Sequence, residues 1–232
     1  MLLELLKPIA LLLAYAHYKR DRLRLENLMK SGLKIGRNVY IGSDVFLDSV
    51  YPYLIEIGDN CRISYAVHII AHDATAFRDL GINRIAPVKI LQGTFIGLGA
   101  IILPGVTIGP NAMIAAGSVV NRDIGEGKIA AGNPARPYGD YADLLKNYRN
   151  NVKRTNVFNK EDIEAGIVSP EQILAELKES PVAFTRGVPK KDPFYVNTRY
   201  EEMRDNARKV FQKYIVNGVS KNQSDKSQQS DK

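Results

Sequence analysis

Aliphatic residues recur at every sixth position through much of the N-terminal half of the chain. The longest run is Ile90, Ile96, Ile102, Ile108, Ile114 and Val120; Ile57, Ile63 and Ile69 precede it, and Ile35, Ile41 and Leu47 come first. Neither a helix, with about 3.6 residues per turn, nor a strand, alternating every two, produces this spacing. Four residues after the aliphatic position comes a small or medium-sized side chain, as at Val39, Val45, Cys61, Val67, Ala100, Val106, Ala112 and Ser118. Glycine often follows the aliphatic residue directly, as at Gly36, Gly42, Gly58, Gly97 and Gly109. A short self-similar period marks a solenoid, and a hexapeptide period marks a parallel β-helix. Each hexad supplies a short strand and a turn, with the aliphatic side chain inward and the smaller one filling the space beside it. Three hexads close a triangular coil of roughly eighteen residues, and coils stack about 4.8 Å apart. A sandwich of hairpins would need strict alternation and irregular turn spacing instead.

The period breaks twice. After Leu47 the segment "DSVYPYL" delays the next hexad, and after Ile69 the segment "IAHDATAFRDLGINRIAP" postpones it to about Val88. Long inserts in a regular solenoid commonly carry function. The second one, a loop insert over 73–87, starts beside a histidine.

Outside the repeat the character changes. Residues 1–32 form an N-terminal helical segment: its apolar run is interrupted by Glu4, Lys7 and Pro8 and falls short of the ~20 residues of a membrane span. Its basic cluster, Lys19, Arg20, Arg22 and Arg24, follows the apolar run, the reverse of a signal peptide. An amphipathic helix or helix pair is expected, packed on the protein body or a neighbouring subunit, with peripheral contact to a membrane surface as the alternative. Residues 33–138 form the β-helix, 139–216 a C-terminal helical extension, and 217–232 a polar, disordered tail. Within the extension, 140–154 reads as helix, "SPEQILAELKES" opens with a Ser cap and Pro at its first turn, and 197–215 is a third helix candidate.

The formal charge of +7 favours anionic partners without choosing among them. No zinc-finger spacing, RNA-binding motif or basic run interleaved with aromatics is present, which argues against nucleic acid. The single Cys61 has no intramolecular disulfide partner and points to a reducing compartment, so the expected location is cytoplasmic, with the inner face of the membrane as the alternative site of the N-terminal segment.

The motifs "IGRNVYIGSDV", "IEIGDNCRIS", "VHIIAHDA", "FIGLGAIILPGVTIGPNAMIAAGSVVNRDI" and "AAGNPAR" together resemble the hexapeptide-repeat acyltransferases, most closely the sugar and polysaccharide O-acetyltransferases, over about residues 33–138. The resemblance implies a mainly β fold, a left-handed parallel β-helix, assembled as a homotrimer with active sites between subunits. It implies acetyl transfer from acetyl-CoA to a hydroxyl of a sugar or glycan acceptor, with His72 as the catalytic base. The residue type suits the chemistry, because a base of near-neutral pKa can take the hydroxyl proton as the oxygen attacks. Asp73 is a candidate to orient His72. His68 faces outward at a turn and His17 belongs to the N-terminal helix, so neither is assigned a role.

By the same resemblance, donor contacts fall at Phe95, Gly97 and Leu98, at Ala115, Ala116 and Gly117, and at Asn121, Arg122 and Arg136. Leu98 departs from relatives that place Ser there, so oxyanion stabilisation is left to backbone N–H groups. Acceptor contacts are expected at Asp48, Ser49 and Tyr51, where the repeat is first interrupted. Carbonic anhydrases on this scaffold bind zinc through three histidines; here the third, His17, precedes the repeat, and no metal is expected. The alternative to an enzyme is a non-catalytic β-helix scaffold or an assembly subunit of a glycan pathway.

Overall fold

The structure, a computed structural model, describes residues 20–152, 157–179 and 184–186. The apolar run 1–19, the helix candidate at 197–215 and the tail 217–232 lie outside the described residues. Residues 20–30 are helical. The helix ends at Gly32, whose φ of +101° and approach to Tyr53, 2.8 Å from where a Cβ would stand, both require glycine. Leu25, Leu28 and Leu33 turn inward and cover the open end of the first coil.

Short strands then repeat around a three-sided prism. The first face carries β1 (Lys34–Ile35), β4 (Ile55–Ile57), β9 (Val88–Ile90) and β12 (Thr107–Ile108). The second carries β2 (Tyr40–Ile41), β5 (Arg62–Ile63), β10 (Phe95–Ile96) and β13 (Met113–Ile114). The third carries β3 (Phe46–Leu47), β6 (His68–Ile69), β11 (Ile101–Ile102) and β14 (Val119–Val120). Pairing is parallel within all three faces, in a register that stacks the aliphatic ladder, as in Ile63 beside Ile96 and Ile96 beside Ile114. The expected parallel β-helix is therefore present.

Burial follows the hexad rule. Ile57, Ile63, Ile69, Ile90, Ile96, Ile102, Ile108, Ile114 and Val120 are at most 1% exposed. Ile35 and Ile41 are only partly buried, because the first coil has helix rather than another coil on its outer side. The smaller fourth residues Cys61, Val67, Ala100, Val106, Ala112 and Ser118 are buried beside the ladder. The Cys61 thiol donates to the Leu91 carbonyl at 3.1 Å, and burial pushes its pKa up, the state of an inert packing thiol.

Register also locates the interruptions. Ile90 pairs with Ile108 eighteen residues later, a bare coil, whereas Ile35 pairs with Ile57 twenty-two later and Ile57 with Ile90 thirty-three later. The surplus residues of the first two coils leave the prism at one corner, between the third and first faces. That corner carries a 3-10 turn at Pro52–Leu54 in the first coil and the projecting loop in the second.

Beyond the last full coil the prism closes on a hairpin. β15 (Lys128–Gly132) joins the second face beside β13 and then doubles back through β16 (Ala135–Asp140) in an antiparallel hairpin. The helix expected at 140–154 forms at Tyr141–Asn151, and that from "SPEQ" at Pro170–Glu179. Ser169 caps the latter reciprocally with Gln172: its N–H donates to Gln172 Oε1 at 2.8 Å, and the Gln172 N–H donates to Ser169 Oγ at 3.4 Å. A short parallel pair, Val157–Asn159 with Phe184–Arg186, was not foreseen.

The ladder makes a stability prediction. Ile102→Ala, which empties a fully buried position, is expected to lower unfolding free energy by about 2–5 kcal/mol in chemical denaturation. Lys89→Ala, on the outer side of the first face, is expected to change it by less than about 0.5 kcal/mol.

Candidate active site

The corner that gathers both interruptions also gathers the polar groups. Phe46 and Leu47 pair with His68 and Ile69, so the residues following the two strands, Asp48 and Ile70, stack one above the other. The Asp48 N–H continues the ladder to the Ile69 carbonyl at 3.0 Å, and Ile70 continues it to Ile102 at 3.0 Å. Two residues further on, the chain turns outward and presents the imidazole of His72 to the Asp48 carboxylate.

Asp48 is fully buried. Its Oδ2 accepts from His72 Nδ1 and from the Ala71 N–H at 2.9 Å, and its Oδ1 accepts from the N–H groups of Val50 at 2.9 Å and Tyr51 at 3.2 Å. Burial pushes the carboxyl pKa up, but the bonds from His72 and from the backbone of Ala71, Val50 and Tyr51 outweigh it and hold the group below its ordinary value. The carboxylate is therefore an acceptor at neutral pH, which puts the imidazole proton on Nδ1 and the free lone pair on Nε2. The His72 side chain is 25% exposed, enough for Nε2 to meet a ligand. The Tyr51 ring stands edge-on to it, with centroids 5.4 Å apart.

This arrangement corrects two expectations. Asp48 does not present itself to an acceptor, since both its oxygens are engaged in the interior. Asp73 does not orient His72: the two are successive residues of an extended strand, His72–Asp73, and point to opposite sides. Asp73 Oδ1 instead accepts from the hydroxyl and the N–H of Thr75, bonds that lower its pKa. The orienting carboxylate comes from twenty-four residues upstream. The repeat itself held the signal, because both breaks follow the third strand of a coil and so had to share a corner.

Beside His72 opens a pocket of about 500 Å³ whose lining includes Asp73, Arg84, Leu103, Pro104 and Asn121. The insert closes one side through a two-residue antiparallel pairing of β7 (His72–Asp73) with β8 (Arg84–Ile85). Of the expected acceptor residues, Tyr51 borders His72 and Ser49 is exposed two residues before Tyr51 in the chain.

The expected donor contacts fall at separate places on one prism. Phe95 is exposed on the second face, beside a small groove lined also by Arg62, Asn111, Met113 and Tyr141. Gly97, Leu98, Ala115, Ala116 and Gly117 share the corner between the second and third faces. A Cβ on Gly97 would lie 2.5 Å from the Ala116 nitrogen, so glycine there permits the corners to stack, while Leu98 is 55% exposed. Asn121 alone of the set lines the His72 pocket; exposed Arg136 bonds it weakly at 3.5 Å, and Arg122 is exposed beside it. Among the described residues, no group of three His, Cys, Asp or Glu side chains is placed to hold a metal ion, and no helix is long and apolar enough to cross a membrane.

Comparison with known proteins agrees with the repeat. The family described as bacterial transferase hexapeptide (six repeats) matches residues 87–122. The galactoside O-acetyltransferase of Escherichia coli (strain K12) is 36% identical over 124 residues, 51% of this chain and 59% of that protein. Among solved structures, a maltose O-acetyltransferase from Clostridium difficile 630 is 31% identical over 50% of this chain and 74% of its own, with a TM-score of 0.41. A galactoside acetyltransferase in complex with coenzyme A is 27% identical over 61% and 82%, with a TM-score of 0.44. The chain spans 53% to 61% of the length of the curated relatives it matches.

The Asp48 bonds predict a pH dependence. A carboxyl whose pKa is lowered by folding stabilises the fold above its unfolded value of about 3.8, and this contribution is lost as pH falls through the lower folded-state value. Asp48→Asn is therefore expected to cost about 1–3 kcal/mol at pH 7. Denaturation curves of the two proteins should converge on acidification into that range.

Proposed function

We propose, for a chain that belongs to the hexapeptide-repeat acyltransferase family, the transfer of an acetyl group from acetyl-CoA to a hydroxyl of a sugar or glycan. The observation that carries the reading is the His72 imidazole, held at Nδ1 by a buried carboxylate and left with Nε2 for the adjoining pocket. Galactoside and maltose acetyltransferases among the similar proteins support the choice of a sugar acceptor.

Acetyl-CoA would supply the acetyl group as a thioester. Leu98 and Ala116 offer an exposed apolar flank for its pantetheine arm, and Arg122 and Arg136 offer cations for its phosphates. His72 Nε2 takes the proton of the acceptor hydroxyl as the oxygen attacks the carbonyl carbon. Asp48 stabilises the resulting imidazolium and holds its plane, and His72 then returns the proton to the departing sulfur. Developing charge on the carbonyl oxygen falls to backbone N–H groups, since Leu98 has no hydroxyl. The Leu98 and His72 corners are opposite edges of one face. A coenzyme that meets both runs in a cleft between two prisms, and a homotrimer supplies three such clefts. The proposed setting is the cytoplasm, with residues 1–32 as the part that could touch the inner membrane face.

The test is acceptor-dependent thiol release from acetyl-CoA over a panel of sugars and glycan fragments. His72→Ala is expected to lower kcat by about 10²–10⁴-fold with coenzyme binding retained. Asp48→Asn should lower kcat and shift its pH profile with little change in KM, and Asp73→Asn should lose far less. A panel without thiol release, together with absent CoA binding in calorimetry, would replace the enzyme by a scaffold.

A further inference from the structure

Arg84 brings a cation to the pocket beside the proposed base. It sits in the inserted loop, outside the hexapeptide repeat, and lines the same pocket as His72. The Arg84–Ile85 strand pairs with His72–Asp73, which places Arg84 directly across from Asp73. Its guanidinium reaches over the next coil: one terminal nitrogen lies 3.5 Å from where a Cβ on Gly105 would stand. Among the described residues, the Arg84 side chain makes no hydrogen bond or ion pair.

The remaining lining explains why this matters. Asp73 is the acidic group of the pocket; its Oδ1 accepts twice from Thr75, and its charge attracts Arg84 without a hydrogen bond between them. Leu103 and Pro104 are apolar, and Asn121 is neutral. A guanidinium that lines such a cavity without a hydrogen-bond partner is suited to a carboxylate or phosphate, which it engages through two parallel hydrogen bonds. The coenzyme is a poor candidate for that anion, because its phosphates lie at the far end of the pantetheine arm from the thioester, whereas Arg84 lines the same pocket as the proposed base.

We infer that Arg84 is a specificity-determining residue that selects an acceptor sugar bearing an anionic group, a carboxylate or a phosphate, beside the hydroxyl to be acetylated. This rests on the acyltransfer reading for the identity of the site, not for the existence of the anion subsite. A neutral sugar leaves the guanidinium with water and the longer-range attraction of Asp73. An anionic one exchanges that water for a charge-assisted pair and is held with its neighbouring hydroxyl toward His72.

Matched acceptors test this: neutral methyl hexosides, the corresponding hexuronic acids and the corresponding hexose phosphates, each assayed for thiol release and for binding by calorimetry. Wild type is expected to prefer an anionic member over its neutral counterpart by about tenfold or more in kcat/KM. The acid and phosphate arms then identify which anion is preferred. Arg84→Ala should abolish the preference by raising KM for the anionic acceptor while leaving KM for acetyl-CoA unchanged, and Arg84→Lys should keep part of it. Equal use of neutral and anionic acceptors by wild type, or an equal loss on both in Arg84→Ala, overturns the proposal. Calorimetry with His72→Ala separates the two readings: anion-selective binding without turnover in any protein would sink acyl transfer and keep the subsite. Absence of binding by every anionic sugar would sink the subsite.

Discussion

Parallel stacking at a fixed register is the constraint on which the rest of this structure depends. Each coil is bonded to the next by backbone N–H and carbonyl groups, as between Tyr40 and Cys61 or between His68 and Ala100, and each inward aliphatic residue lies on the one beneath it. A shift of one residue would turn every inward side chain out. Any residue beyond the minimum for a coil must therefore leave at a corner, and the strands on either side remain in step. The site is a consequence: two insertions at the same corner of successive coils place their residues side by side.

The same constraint makes a fully buried carboxylate tolerable. Burying an unpaired Asp in an aliphatic prism would be costly, yet the first insertion turns the N–H groups of Val50 and Tyr51 back onto Asp48, and the second brings the Ala71 N–H and the imidazole. Four donors from two coils converge on one group, so the carboxylate ties the coils together and fixes which nitrogen of His72 is protonated. Rigidity supplied by the repeat and polarity supplied by its interruptions are complementary. Neither alone would present an imidazole lone pair in a defined direction.

On this prism the edges are separated by flat faces, which divides the chemistry. His72 and Arg84 occupy one edge, and the exposed Leu98 and its neighbours another. The inserted loop adds side chains that the repeat itself cannot provide.

The six-residue period by itself determined the β-helix, its core and the position of its interruptions, because inward aliphatic residues at constant spacing are a local property that survives in the linear sequence. It also singled out His72, which stands where the second interruption begins. The partner of His72 was decided only by tertiary structure. Asp73 adjoins it in sequence but points away along an extended strand, while Asp48 reaches it across the stack, through a register that combines one regular coil with the residues of the first insertion. Arg84 was hidden for the same reason: its position depends on how an irregular loop folds back onto His72, and no periodicity records that. Local pattern carries what repeats, and contact between non-repeating segments exists only once the coils are stacked.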